Sequence, residues 1–211
     1  MTKKESIARA KLLLNLLWQE YRVLPQFLVW KTPFELLISV ILSAQTTDAQ
    51  VNHVAPSLFR RFPDAQSLAQ ADQTEIEDFV RSTGFFRLKA QRIKEAAKRL
   101  VDDYGGMVPD NMDDLLTLAG VGRKTAGVIL FQVFGKPAII VDTHFGRVCR
   151  RLFLSNNEDP QKLELDIAKV FVPDDWGPFS MLANIHGRTY CKARGPRCSQ
   201  CPLKISCTWQ P

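Results

Sequence analysis

The sequence predicts an all-α protein, on three observations. Apolar residues recur at three- and four-residue spacing, as in Ile7, Ala10, Leu13, Leu14, Leu17 and Tyr21, the period of one helix face. No Asn-Gly or Asp-Gly hairpin turn occurs, and no stretch sustains the apolar–polar alternation of a half-buried strand. Helix starts are marked by Thr32-Pro33 and Asp159-Pro160, each a capping side chain followed by a proline that suits the first turn.

In chain order, the first helix runs from residue 5 to about 21, with Pro25 ending it. Phe34 to Leu42 is apolar almost all round and reads as the central buried helix. It empties into Ser43-Ala44-Gln45-Thr46-Thr47-Asp48, where Thr47 or Asp48 can cap the helix that follows. Further helices are expected over 49–62, around 67–71 and over 74–82. Gly84-Phe85-Phe86-Arg87-Leu88-Lys89 opens a basic helix to about 103, in which Arg87 and Lys89 are candidates to touch phosphate. After the loop at Gly105-Gly106 the chain reaches its most informative stretch. Beyond that, helices are expected from Asp142 to Arg151, from Asp159 to Val172, and from Trp176 to Tyr190, with Pro178 in the first turn of the last.

In Leu115 to Leu130 the helical spacing of Leu115, Leu118, Val121, Ala126, Ile129 and Leu130 is broken by Gly120 and Gly122. That pattern predicts two helices joined by a tight Gly-Val-Gly hairpin, with Val121 turned inward. The second helix then starts near Gly122 with outward N–H groups, a ready site for a phosphate oxygen. Arg123 and Lys124 occupy its first turn, where the helix dipole disfavours cations; a nucleic acid backbone would offset that misplacement. Lys124 is either a solvated phosphate contact or an amine nucleophile. For a lone lysine the first is the usual case; the second would be helped by the positive helix end and Arg123, which both disfavour the ammonium form. Asp142 follows after a helix that Gly135 and Pro137 would stop. It is a helix cap, a carboxylate brought back beside the amine, or both. An amine with a carboxylate suits attack at a sugar C1′.

Composition sets the bounds. With 211 residues the chain can bury a core as one domain or two small ones. Its net charge of +6 suits a polyanionic partner. The run Leu36–Leu42 is too short to cross a bilayer, and Met-Thr-Lys-Lys-Glu-Ser lacks the features of a signal peptide. Four of the five cysteines fall at the end, Cys191, Cys198, Cys201 and Cys207, separated by six, two and five residues. They predict a metal site in a reducing compartment rather than a disulfide framework. Structural zinc usually takes two close ligand pairs, and only one close pair is present. Longer, unequal spacings favour a [4Fe–4S] centre over zinc. Lys192, Arg194 and Arg197 lie in the loop that two of these cysteines bracket. Cys149 is isolated and expected to be buried.

The run Leu-Ala-Gly-Val-Gly-Arg-Lys-Thr-Ala, followed by Val141-Asp142-Thr143-His144, resembles the helix-hairpin-helix signature of the endonuclease III family of DNA repair glycosylases. Phe34 to Asp48, His186-Gly187-Arg188 and the cysteine spacing fall in the family's order too, so the resemblance spans essentially the whole chain. Ala119 stands where the family usually has proline, and Gly127 where a larger residue is common.

The resemblance implies two all-α domains. A six-helix barrel with the helix-hairpin-helix would cover 26–136; residues 1–25 and 137–211 would form the cluster-binding helical domain, with DNA across the cleft between them. It implies a bifunctional DNA glycosylase/AP lyase of base excision repair. An oxidised pyrimidine is flipped out of duplex DNA, Lys124 displaces it at C1′ with help from Asp142, and the Schiff base leads to β-elimination of the 3′ phosphate. It further implies that Gln45 fills the vacated space. The residues themselves suggest that Phe85, at a loop tip where the family often has Leu-Tyr, wedges between bases, and that Gly120, Val121, Gly122, Arg123, Lys192, Arg194 and Arg197 contact DNA phosphate; His144, counted with them, steers Asp142 or packs. Cys191, Cys198, Cys201 and Cys207 would hold the [4Fe–4S] cluster. A monomeric, cytoplasmic, nucleoid-associated bacterial protein with no membrane partner follows from the same resemblance. The alternatives are a monofunctional mismatch glycosylase, against which Lys124 and Val40 argue, a non-catalytic helix-hairpin-helix DNA-binding protein, and an electron-transfer protein.

Overall fold

The computed structural model describes residues 2–210, apart from the Lys3 side chain, and among these residues no strand is found. The all-α expectation holds. By contact the chain divides into two compact units, one of Met1–Pro25 with Lys136–Pro211 and the other of Gln26–Gly135.

The Gln26–Gly135 unit is built on helix α2, Pro33–Leu42; the preceding α1 belongs to the other unit. Thr32 caps α2 by accepting from Glu35 N–H, Pro33 fits the first turn, and Phe34 and Leu36 through Leu42 are buried. Helix α3, Asp48–Arg61, starts on a Thr47 cap. Helices α4, Ala65–Gln70, and α5, Gln73–Val80, carry their own aspartate caps, Asp64 and Asp72. Long helix α6, Phe86–Tyr104, packs Ala90, Ile93, Ala97 and Leu100 inward. The short α7, Met112–Leu116, and α8, Arg123–Phe134, complete the unit.

In the other unit, α1 spans Lys3–Tyr21 and ends because Arg22 turns left-handed at φ 58°. The stop therefore comes before Pro25, at a residue whose conformation composition does not reveal. The apolar run Ala138–Ile140 is buried without forming a strand, and Ile140 N–H is satisfied by Ser180 Oγ at 3.0 Å. Helix α9, Thr143–Arg151, and α10, Pro160–Ala168, begin where the caps predict. Helix α11 starts earlier than expected, at Pro173 rather than near Trp176, and runs to Thr189. The signals are Pro173 at its head and Asp174 and Asp175 in its first turn. Pro178 thus sits inside the helix, and the expectation of a first-turn proline is corrected. The core packs α1, α9, α10 and α11 around Phe145, Phe171 and Phe179, the last two stacked at 4.1 Å.

Candidate active site and thiol cluster

Within the Gln26–Gly135 unit the predicted hairpin forms between α7 and α8. Val121 is 8% exposed, and its N–H donates to Leu118 O at 3.1 Å, closing the turn. Gly120 has φ 78°, and a Cβ there would meet Ile41 Cγ2 at 2.9 Å and Arg92 Cδ at 3.2 Å. Both backbone angle and space require glycine. Gly122 differs: its backbone is extended and nothing lies within 4 Å of a Cβ placed on it. The fold does not need glycine there, and the space is free for a bulky ligand. Among the described residues no side chain caps α8. Arg123 and Lys124 are exposed in its first turn.

Ile41 lies near the end of α2, so the hairpin touches the helix that leads into the Gln45 loop. Gln45 is exposed and holds φ 54°, a left-handed backbone in a residue with a Cβ. Phe85 is also left-handed, at φ 48°, and 66% exposed. The Phe86 ring, by contrast, has the Arg81 and Arg87 guanidinium groups over it at 5.1 and 5.4 Å. Gln50 Nε2 donates to Ser82 Oγ at 2.6 Å, tying the start of α3 to the turn before Phe85. Lys89 does not reach outward as its basic neighbourhood suggested. It is 3% exposed, donates from Nζ to Thr83 O at 2.7 Å, and burial lowers its pKa.

Asp142, in the other unit, caps α9: Oδ1 accepts from Phe145 N–H at 2.7 Å and Oδ2 from Asn184 Nδ2 at 2.5 Å. Asn184 was not foreseen; its sequence signal is an amide directly after the apolar run Met181-Leu182-Ala183 of the last helix. His144 Nδ1 accepts from Arg147 Nη2 at 3.1 Å. An arginine only donates, so the neutral ring carries its proton on Nε2. Burial is the main reason the pKa of His144 is lowered. Gly187 makes room for this packing, since a Cβ there would stand 3.0 Å from His144 Cβ.

The four late cysteines line one cavity with His186, Tyr190, Leu203 and Trp209. None is in a disulfide. Burial, then the neighbouring thiols, push the Cys201 thiol up to about 11. Two nitrogens stand against sulfur: Arg151 Nη1 donates to Cys191 Sγ at 3.4 Å, and His186 Nε2 lies 3.4 Å from Cys201 Sγ. His186 is buried, which lowers its pKa to about 4, and its Nδ1 bonds Tyr21 Oη at 3.2 Å. The loop with Lys192, Arg194 and Arg197 is anchored from α9. Arg147 donates to Cys191 O at 2.9 Å and Gly187 O at 2.8 Å, and Arg151 to Lys192 O at 2.8 Å. Those arginines form a basic cluster in sequence but point at carbonyl groups in the fold. Arg194 and Arg197 are exposed. Cys149 is wholly buried, which raises its thiol pKa.

Residues 38–173 match the family described as HhH-GPD superfamily base excision DNA repair protein. Endonuclease III of Synechocystis sp. is 48% identical over 179 residues, covering 84% of this chain and 82% of that protein. Endonuclease III of Bacillus subtilis is 40% identical over 181 residues, 85% of this chain and 83% of that protein. A solved non-covalent endonuclease III–DNA complex aligns with a TM-score of 0.91 at 37% identity, over 99% of this chain and 96% of that one. A thermostable thymine-DNA glycosylase aligns with a TM-score of 0.84 at 26% identity, over 95% and 96% of the two chains.

Proposed function

We infer the chemistry from one premise: the chain belongs to the endonuclease III family, within the HhH-GPD superfamily of base excision DNA repair proteins. It is a DNA N-glycosylase and AP lyase, and it binds DNA. Its substrate is duplex DNA bearing an oxidised pyrimidine or an abasic site, which it engages as a monomer.

Lys124 is the nucleophile. The supporting observation is an exposed amine in the first turn of an uncapped helix, beside a glycine with open space around it. The free amine attacks C1′ of the flipped nucleotide; the C1′–N bond breaks, and the base leaves with the electron pair and takes a proton. Asp142, a carboxylate held by two donors, stabilises positive charge as it develops on the sugar. Opening of the sugar ring gives a Schiff base, whose cationic nitrogen acidifies the C2′ hydrogens. Loss of one of them expels the 3′ phosphate by β-elimination, and water then releases Lys124. Gln45 enters the space the nucleotide vacates, Phe85 wedges at the neighbouring step, and Gly120, Val121, Gly122 and Arg123 take a phosphate. His144, Lys192, Arg194 and Arg197 contact the backbone.

Cys191, Cys198, Cys201 and Cys207 would hold a [4Fe–4S] cluster. What supports this is that the four thiols line one cavity and that their six-, two- and five-residue separations lack the two close pairs usual for structural zinc. Four thiolate bonds to such a cluster would tie Cys191, Cys198, Cys201 and Cys207 together and so hold the basic loop between the first two. The purified chain should be brown and contain iron and sulfide; a colourless, zinc-containing protein would overturn the cluster assignment and leave Lys124 untouched.

The activity is tested on three duplexes, containing one oxidised pyrimidine, one mispaired adenine or one mispaired thymine. Base release and a β-elimination product on the first alone is the expected result. Base release from a mismatch without nicking would point instead to a monofunctional enzyme.

A further inference from the structure

We propose that Asn184 is a positioning residue for this reaction, acting through Asp142; the proposal rests on the reading of Asp142 given above. A carboxylate that only caps a helix uses one oxygen on the backbone and leaves the other to solvent. Here Oδ1 takes the Phe145 N–H at 2.7 Å, while Oδ2 takes Asn184 Nδ2 at 2.5 Å.

The second donor comes from the buried face of α11, where Asn184 is 9% exposed. An amide in such a place is unfavourable unless both of its ends are bonded. Only one end is: Asn184 Oδ1 is buried and has no partner among the described residues. The amide cannot be turned round to relieve this, because its oxygen would then face an ionised carboxylate oxygen, acceptor against acceptor. Leu182 and Ala183 beside it are fully buried apolar side chains, so packing alone is served equally well by another apolar residue. What the amide adds is a fixed donor for Asp142.

One hydrogen bond leaves a carboxylate free to swing about its last torsion. Two bonds on separate oxygens, one from α9 and one from α11, fix its plane. A charge already oriented needs no reorganisation when positive charge appears on the sugar. Asn184 therefore acts on the chemical step and not on affinity for DNA.

The test is Asn184→Leu, which removes the donor at similar volume. Expected are a loss of about tenfold in kcat for base release, an unchanged KM and duplex affinity, and a Tm equal to or above native. In an Asp142→Asn background the same substitution should change kcat no further. An unchanged kcat, or an equal loss in both backgrounds, would overturn the proposal. So would a kcat loss that appears only with a lowered Tm. If Asn184→Leu does not fold, Asn184→Ser is read by the same criteria. Failure of the underlying reading looks different: Asp142→Asn alone would then keep the native rate.

Discussion

Gln45 and Phe85 hold left-handed backbones that a side chain resists, and each sits in the open. Such strain amounts to about 1–3 kcal/mol per residue and persists where the surroundings impose it, commonly at functional positions. Gln45→Gly relieves it and removes the side chain proposed to fill the vacated space. The expected outcome is a Tm at or above native with slower excision from lesion duplex, measured by melting and single-turnover kinetics; unchanged excision would remove Gln45 from the mechanism. The position of Lys124 in the first turn of α8, of Asp142 as the α9 cap and of the late cysteines close to one another was readable in advance, since each sits in a local pattern. Asn184 was not readable. Its partner Asp142 is 42 residues away, and only the packing of α11 on α9 brings them together. Lys89 misled for a related reason: charge is visible in sequence, but its burial against Thr83 O is not.

Among the elements, the hairpin between α7 and α8 separates two reasons for glycine. Gly120 serves the fold, through φ 78° and the close approach of Ile41. Gly122 is left open on its side by the fold, in the space the proposed mechanism gives to a phosphate. Gly120→Ala should therefore destabilise the protein by about 1–3 kcal/mol. Gly122→Ala should leave the unfolding free energy within about 0.5 kcal/mol of native and weaken DNA binding. Denaturant melts beside duplex titrations distinguish the two, and equal destabilisation by both would contradict the assignment. Helix existence was legible throughout, because caps such as Thr32, Thr47 and Asp159 are local chemistry. Ends were less so. Arg22 stops α1 by a left-handed turn, and α11 begins at Pro173 and runs through Pro178.

For the whole molecule, a net charge of +6 favours DNA, and binding should weaken steeply with salt as phosphate contacts release counterions. The direction of each charge decides its part in that. Arg147 and Arg151 turn to backbone carbonyls of the cysteine loop, whereas Arg194 and Arg197 are exposed. Arg194→Glu with Arg197→Glu should lower affinity for every duplex alike and make the salt dependence shallower. A loss confined to lesion DNA would place those residues at the flipped nucleotide instead.

The proposed mechanism requires the Lys124 amine to form a covalent bond to the sugar. Borohydride trapping on duplex DNA with one oxidised pyrimidine tests it most directly: the native chain should be captured as a stable protein–DNA adduct, and Lys124→Ala should give none and nick far more slowly. A Lys124→Ala chain that still traps, or nicks as fast as native, would contradict it.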